Sequence, residues 1–264
     1  MSSVKVHHDE HPVLSVEETI ALRRLLINRQ KDPNLDLNHD AREVIRPDLF
    51  DDFLSDFTDN SFVRGIAVFA VANTLIALHL MQVHGVKHNN VLVGILWFTG
   101  GVASWVSCIF ELLLGNTFAY CVFGSFGGYY FAYATILTPS FQVQQGYESA
   151  EEFSNSIGVF FCVWASLFFI FLIASLRTNI IFVWIFVTVD ATAWCLAGSN
   201  FAAGAGETDL ALRLAKAGGA LLFACASAGW YLLLVQLLEG VGYQRSLPVG
   251  ILVKPHKVYD QSSV

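Results

Sequence analysis

Residues 156–176 read SIGVFFCVWASLFFIFLIASL, an apolar run without one charged side chain. A helix needs about twenty such residues to cross a hydrocarbon core about 30 Å thick. Working outward from this run, short polar gaps divide residues 62–238 into six stretches of that length: 62–83, 91–113, 117–137, 156–176, 180–199 and 215–238. Six in succession make the bilayer the solvent. A backbone in lipid must pair its own polar groups, which leaves helices or closed barrels. The two-residue alternation of barrel strands is absent. The expectation is therefore an all-α membrane protein with six transmembrane helices per protomer.

Composition agrees. Of 264 residues, 55 % are hydrophobic and 14 % charged, and the mean hydropathy is +0.54. The formal net charge of −7 resides mostly in the tails, and nothing resembles a basic face for nucleic acid. The expected organisation is a polar tail over 1–60, one membrane domain over 61–240, and a second tail over 241–264. Cys108, Cys121, Cys162, Cys195 and Cys225 all fall inside apolar stretches without CxxC spacing, so they read as buried thiols acting as small hydrophobes. His84 and His88 could bind a metal only if helical. With no acid or cysteine beside them, no metal site and no cofactor is expected.

Lysine and arginine set the orientation. The N-terminal tail carries Lys5, Arg23, Arg24, Arg29, Lys31, Arg42 and Arg46, and the C-terminal tail Arg245, Lys254 and Lys257. Arg177 lies between the fourth and fifth stretches. The gap at 138–155 has Glu148, Glu151 and Glu152 but neither lysine nor arginine. Both termini are thus expected in the cytosol, and Lys87, Arg213 and Lys216 weaken that reading only slightly. The polar N-terminus does not read as a signal peptide. Within it, Ser15 and Glu18 form a capping box ahead of an amphipathic pattern. Pro47, followed by Phe50, Phe53, Leu54 and Phe57, suggests a second helix lying at the interface.

Several residues together resemble a known family. Gly115-Asn116-Thr117-Phe118, then Phe123-Gly124-Ser125-Phe126-Gly127-Gly128-Tyr129-Tyr130, are similar to a "GNTF…SFGGFW" signature. Leu196-Ala197-Gly198-Ser199-Asn200-Phe201, Lys216-Ala217-Gly218-Gly219 and Leu247-Pro248-Val249-Gly250 continue the likeness. On these, the chain resembles the acetate uptake transporter family, which includes bacterial succinate–acetate permeases and fungal proteins linked to acetate uptake and ammonia export. The resemblance implies a six-helix protomer with a path through its own middle, assembled as a homo-oligomer, usually a hexamer. It implies a narrow apolar constriction at the positions of Phe69, Phe126 and Val189, with Asn60 and Gly65 on the substrate path. Asn116, Thr117, Gly127 and Gly128 match structural motif positions. One departure stands out. The family's Asn-Pro-Ala-Pro-Leu-Gly-Leu reads Asn60-Ser61-Phe62-Val63-Arg64-Gly65-Ile66 here, so both prolines are gone and an arginine replaces a leucine.

Charged groups inside a span are functional candidates by default. Asp190, near the middle of the fifth stretch, reads either as a proton carrier or as a structural carboxyl. Arg64 either snorkels to the inner interface or reaches Asp190, making the two a candidate polar or proton site. Glu111 is expected at the interface, and Asn73 and His79 in packing hydrogen bonds. The dense glycines at 124–128 pack helices or make room for a permeant. No nucleophile–base pair or phosphate-binding loop is visible, so no enzyme is expected. The function implied is a transporter or channel for small monocarboxylates, acetate first, coupled to protons and placed in the plasma membrane. The rivals are passage or export of ammonia or ammonium, and a non-transporting sensor or scaffold on the same fold.

Overall fold

The structure, a computed structural model, describes residues 61–243, 247–250 and 252. The two amphipathic segments of the N-terminal tail, Asn60 and most of the C-terminal tail lie outside the described residues. What is described is all-helical: α1 is Ser61–Leu80, α2 is Leu92–Leu113, α3 is Thr117–Leu137, α4 is Ala150–Ser175, α5 is Ile180–Gly204 and α6 is Thr208–Gly240. Five of these are long and apolar enough to cross a membrane by length and composition. The other is α3, 21 residues long, whose four tyrosines and interior Gly and Ser residues dilute its hydropathy.

The elements match the six apolar stretches, but three helices extend beyond them. Helix α4 begins six residues before its apolar run because Ser149 caps it, accepting a hydrogen bond from the Glu152 amide at 3.0 Å. Glu151 and Glu152 then occupy its first turn, where the helix dipole favours negative charge. The gap expected at 138–155 is therefore a shorter loop with two 3₁₀ turns, Pro139–Phe141 and Val143–Gly146. Helices α5 and α6 likewise run past their apolar cores into polar ends.

Consecutive helices run antiparallel, joined by tight turns at 114–116, 176–179 and 205–207 and by longer loops at 81–91 and 138–149. Backbones pack closely along α1–α2, α2–α3, α4–α5 and α5–α6, and α6 closes back onto α1. Between α3 and α4 large rings bridge a wider gap: Tyr129 meets Phe160 and Trp164, with centroids 6.0 and 5.3 Å apart, and Tyr133 meets Phe161 at 5.8 Å. The result is a ring of six helices in chain order. Where backbones must come close, small residues allow it. A Cβ on Gly219 would lie 2.9 Å from Leu80 and 3.0 Å from the Ala77 carbonyl. Helix α2 carries a π-helical stretch, Ile95–Val102, in which Gly100 and Gly101 face the rings of Tyr130 and Phe131.

The Gly115-Asn116-Thr117 motif is a helix stop and start. Gly115, at φ +71°, follows the last turn of α2 in the left-handed region open to glycine. Its amide bonds Leu112 O at 3.1 Å and the Asn116 amide bonds Glu111 O at 3.0 Å, the paired closure of a Schellman motif. The Asn116 side chain then caps α3 by accepting from the Ala119 amide, at 3.4 Å. Beyond α6, the chain returns to the α4–α5 turn: Gly250 O accepts from the Ile180 amide at 3.0 Å and Pro248 O from the Tyr231 hydroxyl at 2.9 Å.

Candidate functional site

Helices α1, α3 and α5 start at the same end of the bundle, and their inner faces meet in its middle. Steps of three or four residues keep a set of side chains on one helical face. On α1 that set is Phe62, Ile66 and Phe69, on α3 Phe118, Val122 and Phe126, and on α5 Phe182, Phe186 and Val189. Phe69 and Phe126 meet edge to face, with centroids 5.3 Å apart and planes at 90°. Phe126 also stacks on Phe168 of α4 at 5.0 Å.

Two small cavities of about 20 Å³ border this level, each with room for about one water. Every residue lining the first is apolar, among them Phe62, Ile66, Phe69, Val122 and Phe126. The second is lined by Asn73, Tyr129, Val189, Thr192 and Leu222 as well as Phe126. Phe126 is thus the partition that the two cavities share. Asn73 is buried and donates through Nδ2 to the Phe69 carbonyl and to the Tyr130 hydroxyl, both at 2.9 Å. Thr192 donates to the Thr188 carbonyl at 2.8 Å, with Gly218 O at 3.2 Å. The second cavity therefore has polar groups in its wall, and the first has none.

The structure puts Phe69 against Phe126, and puts Phe126 and Val189 in the wall of the second cavity. Gly65 is buried against the ring of Phe123, which a Cβ there would strike. A Cβ on Gly127 would strike Trp105 and one on Gly124 would lie 3.0 Å from the Cys108 sulfur, so these glycines receive α2 instead of making room in the middle. A Cβ on Gly128 would meet nothing within 4 Å.

Arg64 and Asp190 are not brought together. Arg64 is exposed, its Nε 3.5 Å from Ser107 Oγ and its guanidinium over the Phe110 ring at 5.1 Å, both on α2. Asp190 lines neither cavity. One residue on from Val189 is a rotation of about 100°, which turns the carboxyl to the flank of α5, beside exposed Trp194. Its Oδ1 is shut off from solvent without a hydrogen-bond partner. Glu111, expected at the interface, is instead 1 % exposed and accepts from Asn116 Nδ2 at 2.7 Å. His84 has φ +53° in a 3₁₀ turn and His88 is non-helical, so no helical face presents them together. Among the described residues no three His, Cys, Asp or Glu side chains cluster as metal ligands.

Phe62, Phe118, Phe182, Thr192 and Tyr130 also belong to this region, and the sequence reading did not single them out as site residues. Their signal was available for the phenylalanines: each is the second or third residue of its helix, two turns before a constriction residue.

A closed ring of apolar helices around a narrow apolar core, on chain turns that bind one helix to the next, defines a polytopic α-helical membrane protein of the transporter and channel class. The chain belongs to the GPR1/FUN34/yaaH family, whose model matches residues 51–248. It is similar to Protein alcS of Aspergillus fumigatus, 32 % identical over 195 residues, covering 70 % of this chain and 72 % of that one. It is 31 % identical over 168 residues to the Acetate transporter protein patA of Aspergillus clavatus, covering 63 % and 68 %. It is 28 % identical over 168 residues to the Ammonia transport outward protein 2 of Saccharomyces cerevisiae, covering 63 % and 57 %. Among solved structures, the bacterial acetate channel SatP shares the fold at a TM-score of 0.61 and 21 % identity, with 72 % of this chain and 98 % of that chain covered.

Proposed function

We propose that this chain carries small monocarboxylates, acetate first, across the plasma membrane through the middle of each protomer. The observation that carries the reading is the apolar partition at Phe69, Phe126 and Val189 in a family with relatives named for acetate transport. A ring of apolar side chains rejects hydrated ions, whereas a protonated acid crosses it without leaving a charge unsolvated. An inside-negative potential of 100 mV opposes entry of one anion by about 2.3 kcal/mol, and one accompanying proton cancels that. Proton coupling follows from this physics. In this reading both termini face the cytosol, the protomers assemble as a homo-oligomer of six, and the protein is not an enzyme.

A second reading, passage of ammonia, is favoured by the relative named for outward ammonia transport, and the same dry partition suits that neutral molecule. A non-transporting sensor would draw on the lost prolines and Arg64 at the start of α1. Purified protein in sealed vesicles separates the three. Labelled acetate uptake that rises with an inward proton gradient supports the main reading. Alkalinisation by ammonia without acetate uptake supports the second, and neither flux supports the third.

A further inference from the structure

We propose that Phe62, Phe118 and Phe182 form a second aromatic gate, in series with the level of Phe69, Phe126 and Val189, and that only neutral solutes cross the compartment between the two. The proposal rests on the reading that the bundle's middle is a path, and it adds where that path is closed and in what charge state it is crossed.

Each of the three helices supplies one residue to each level. The separations are seven residues on α1, eight on α3 and seven on α5, which is two turns and about 10–12 Å along the axis. The second level is in contact with itself: Phe62 and Phe182 have centroids 5.9 Å apart, and Phe118 and Phe182 6.0 Å apart, both edge-on. Phe62 is backed by Phe123 at 5.6 Å, and that ring takes the space left by the missing side chain of Gly65. Phe62 and Phe118 are half-buried and Phe182 is buried, the pattern of a plug at the end of a bundle.

Between the levels lies the first cavity, about 20 Å³ with no polar side chain in its wall. Past the first turn of each helix the amides behind its wall are paired along the helix, and the unpaired first-turn amides lie at the level of Phe62, Phe118 and Phe182. A carboxylate between the levels would have lost its water and found no side-chain donor, a large cost for a charge. A neutral acid or ammonia has far less to lose. The second cavity, with Asn73 and Thr192 in its wall, can hydrogen-bond a solute, so the two cavities differ in kind.

The test is thiol access in a cysteine-less background, which reads the gates without relying on any transported substrate. Val122→Cys places a thiol in the wall between the levels. With both gates intact, a charged impermeant reagent should react slowly from either side. Phe118→Ala should speed the reaction by about tenfold or more, only from the side where α1, α3 and α5 begin, and Phe126→Ala only from the opposite side. Phe118→Leu, which keeps an apolar side chain, serves where alanine impairs folding and should give the same sidedness with a smaller gain. A neutral maleimide should outpace the charged reagent through intact gates. Rapid reaction from the α1-start side with Phe62, Phe118 and Phe182 intact, or no effect of either Phe118 variant, would overturn the second gate. Equal access of charged and neutral reagents would overturn the charge rule. Sided access without acetate uptake would leave the gates standing and remove acetate.

Discussion

Asn73 of α1 and Tyr130 of α3 are joined by a buried hydrogen bond of 2.9 Å, and the same amide nitrogen holds the backbone carbonyl of Phe69. One side chain thus ties the helix bearing Phe69 to the helix bearing Phe126, one turn from the partition both residues build. Polar pairs between helices in lipid contribute on average about 0.6 kcal/mol and at most about 1.7. Tyr130→Phe should lower unfolding stability in detergent within that range. Asn73→Leu should cost more, since it also strands the Tyr130 hydroxyl in an apolar interior. A double-mutant cycle with no coupling between the two positions would show that the bond does not hold the helices.

Phe126 walls both cavities. Phe126→Ala should join them and relax size selectivity, so that butyrate competes with labelled acetate far better than in the parent protein. Removing a buried ring also costs about 3–5 kcal/mol in a packed core, so folding must be checked by gel filtration and melting. Unchanged selectivity in a folded variant would make Phe126 an ordinary core residue.

Much of this architecture is legible in the sequence because lipid leaves few choices. Uninterrupted runs such as 156–176 must be helices, and their spacing fixes the antiparallel order. Helix ends are harder to read, since capping can extend a helix past its apolar run, as Ser149 does for α4. The site divides along the same line. Phe69 meets Phe126, and Phe126 shares a cavity wall with Val189, whereas the family likeness alone assigns the three to one constriction. Asp190 attracts notice as a charge in a span, yet one residue of helical rotation turns it away from Val189. Glu111 looked interfacial because it ends an apolar stretch, whereas it is buried and accepts from Asn116 across the turn to α3, a contact that hydropathy does not encode.

That contact carries its own expectation. Asn116 both caps α3 and donates to the carboxylate of Glu111. Asn116→Ala should remove the cap, worth about 1 kcal/mol, together with the hydrogen bond to Glu111, worth about 0.5–1.5 kcal/mol. Asn116→Asp keeps a capping oxygen but loses the amide that donates to Glu111, so it should keep the cap, lose the bond, and fall between the alanine variant and the parent in stability. Melting curves of the three proteins at neutral pH check this. An aspartate variant as stable as the parent at neutral pH would contradict the geometry.

Charge placement predicts that the loop around Gln144 faces outward while both termini face the cytosol. Gln144 is exposed in the short α3–α4 loop. In a cysteine-less protein, Gln144→Cys should react with an impermeant reagent added to intact cells. Reaction only after the membrane is opened would invert the orientation.

Arg64 and Asp190 are the two charges whose pairing would have explained how one is tolerated at the start of α1 and the other within α5. The geometry gives each a separate accommodation. Arg64 lies at the start of α1, where its long side chain reaches Ser107 and covers the Phe110 ring, a cation–π contact worth about 0.5–1 kcal/mol at an exposed site. Asp190 is on the flank of α5, about 100° round the helix from Val189, and beside Trp194. Groups without shared partners have additive effects to within about 0.3–0.5 kcal/mol. Arg64→Gln and Asp190→Asn should therefore add in stability, and the double variant should equal the sum of the singles. Asp190→Asn should also leave the sided thiol access at Val122→Cys unchanged, because the carboxyl borders neither cavity. A double variant markedly more stable than that sum would mean that the two charges meet after all.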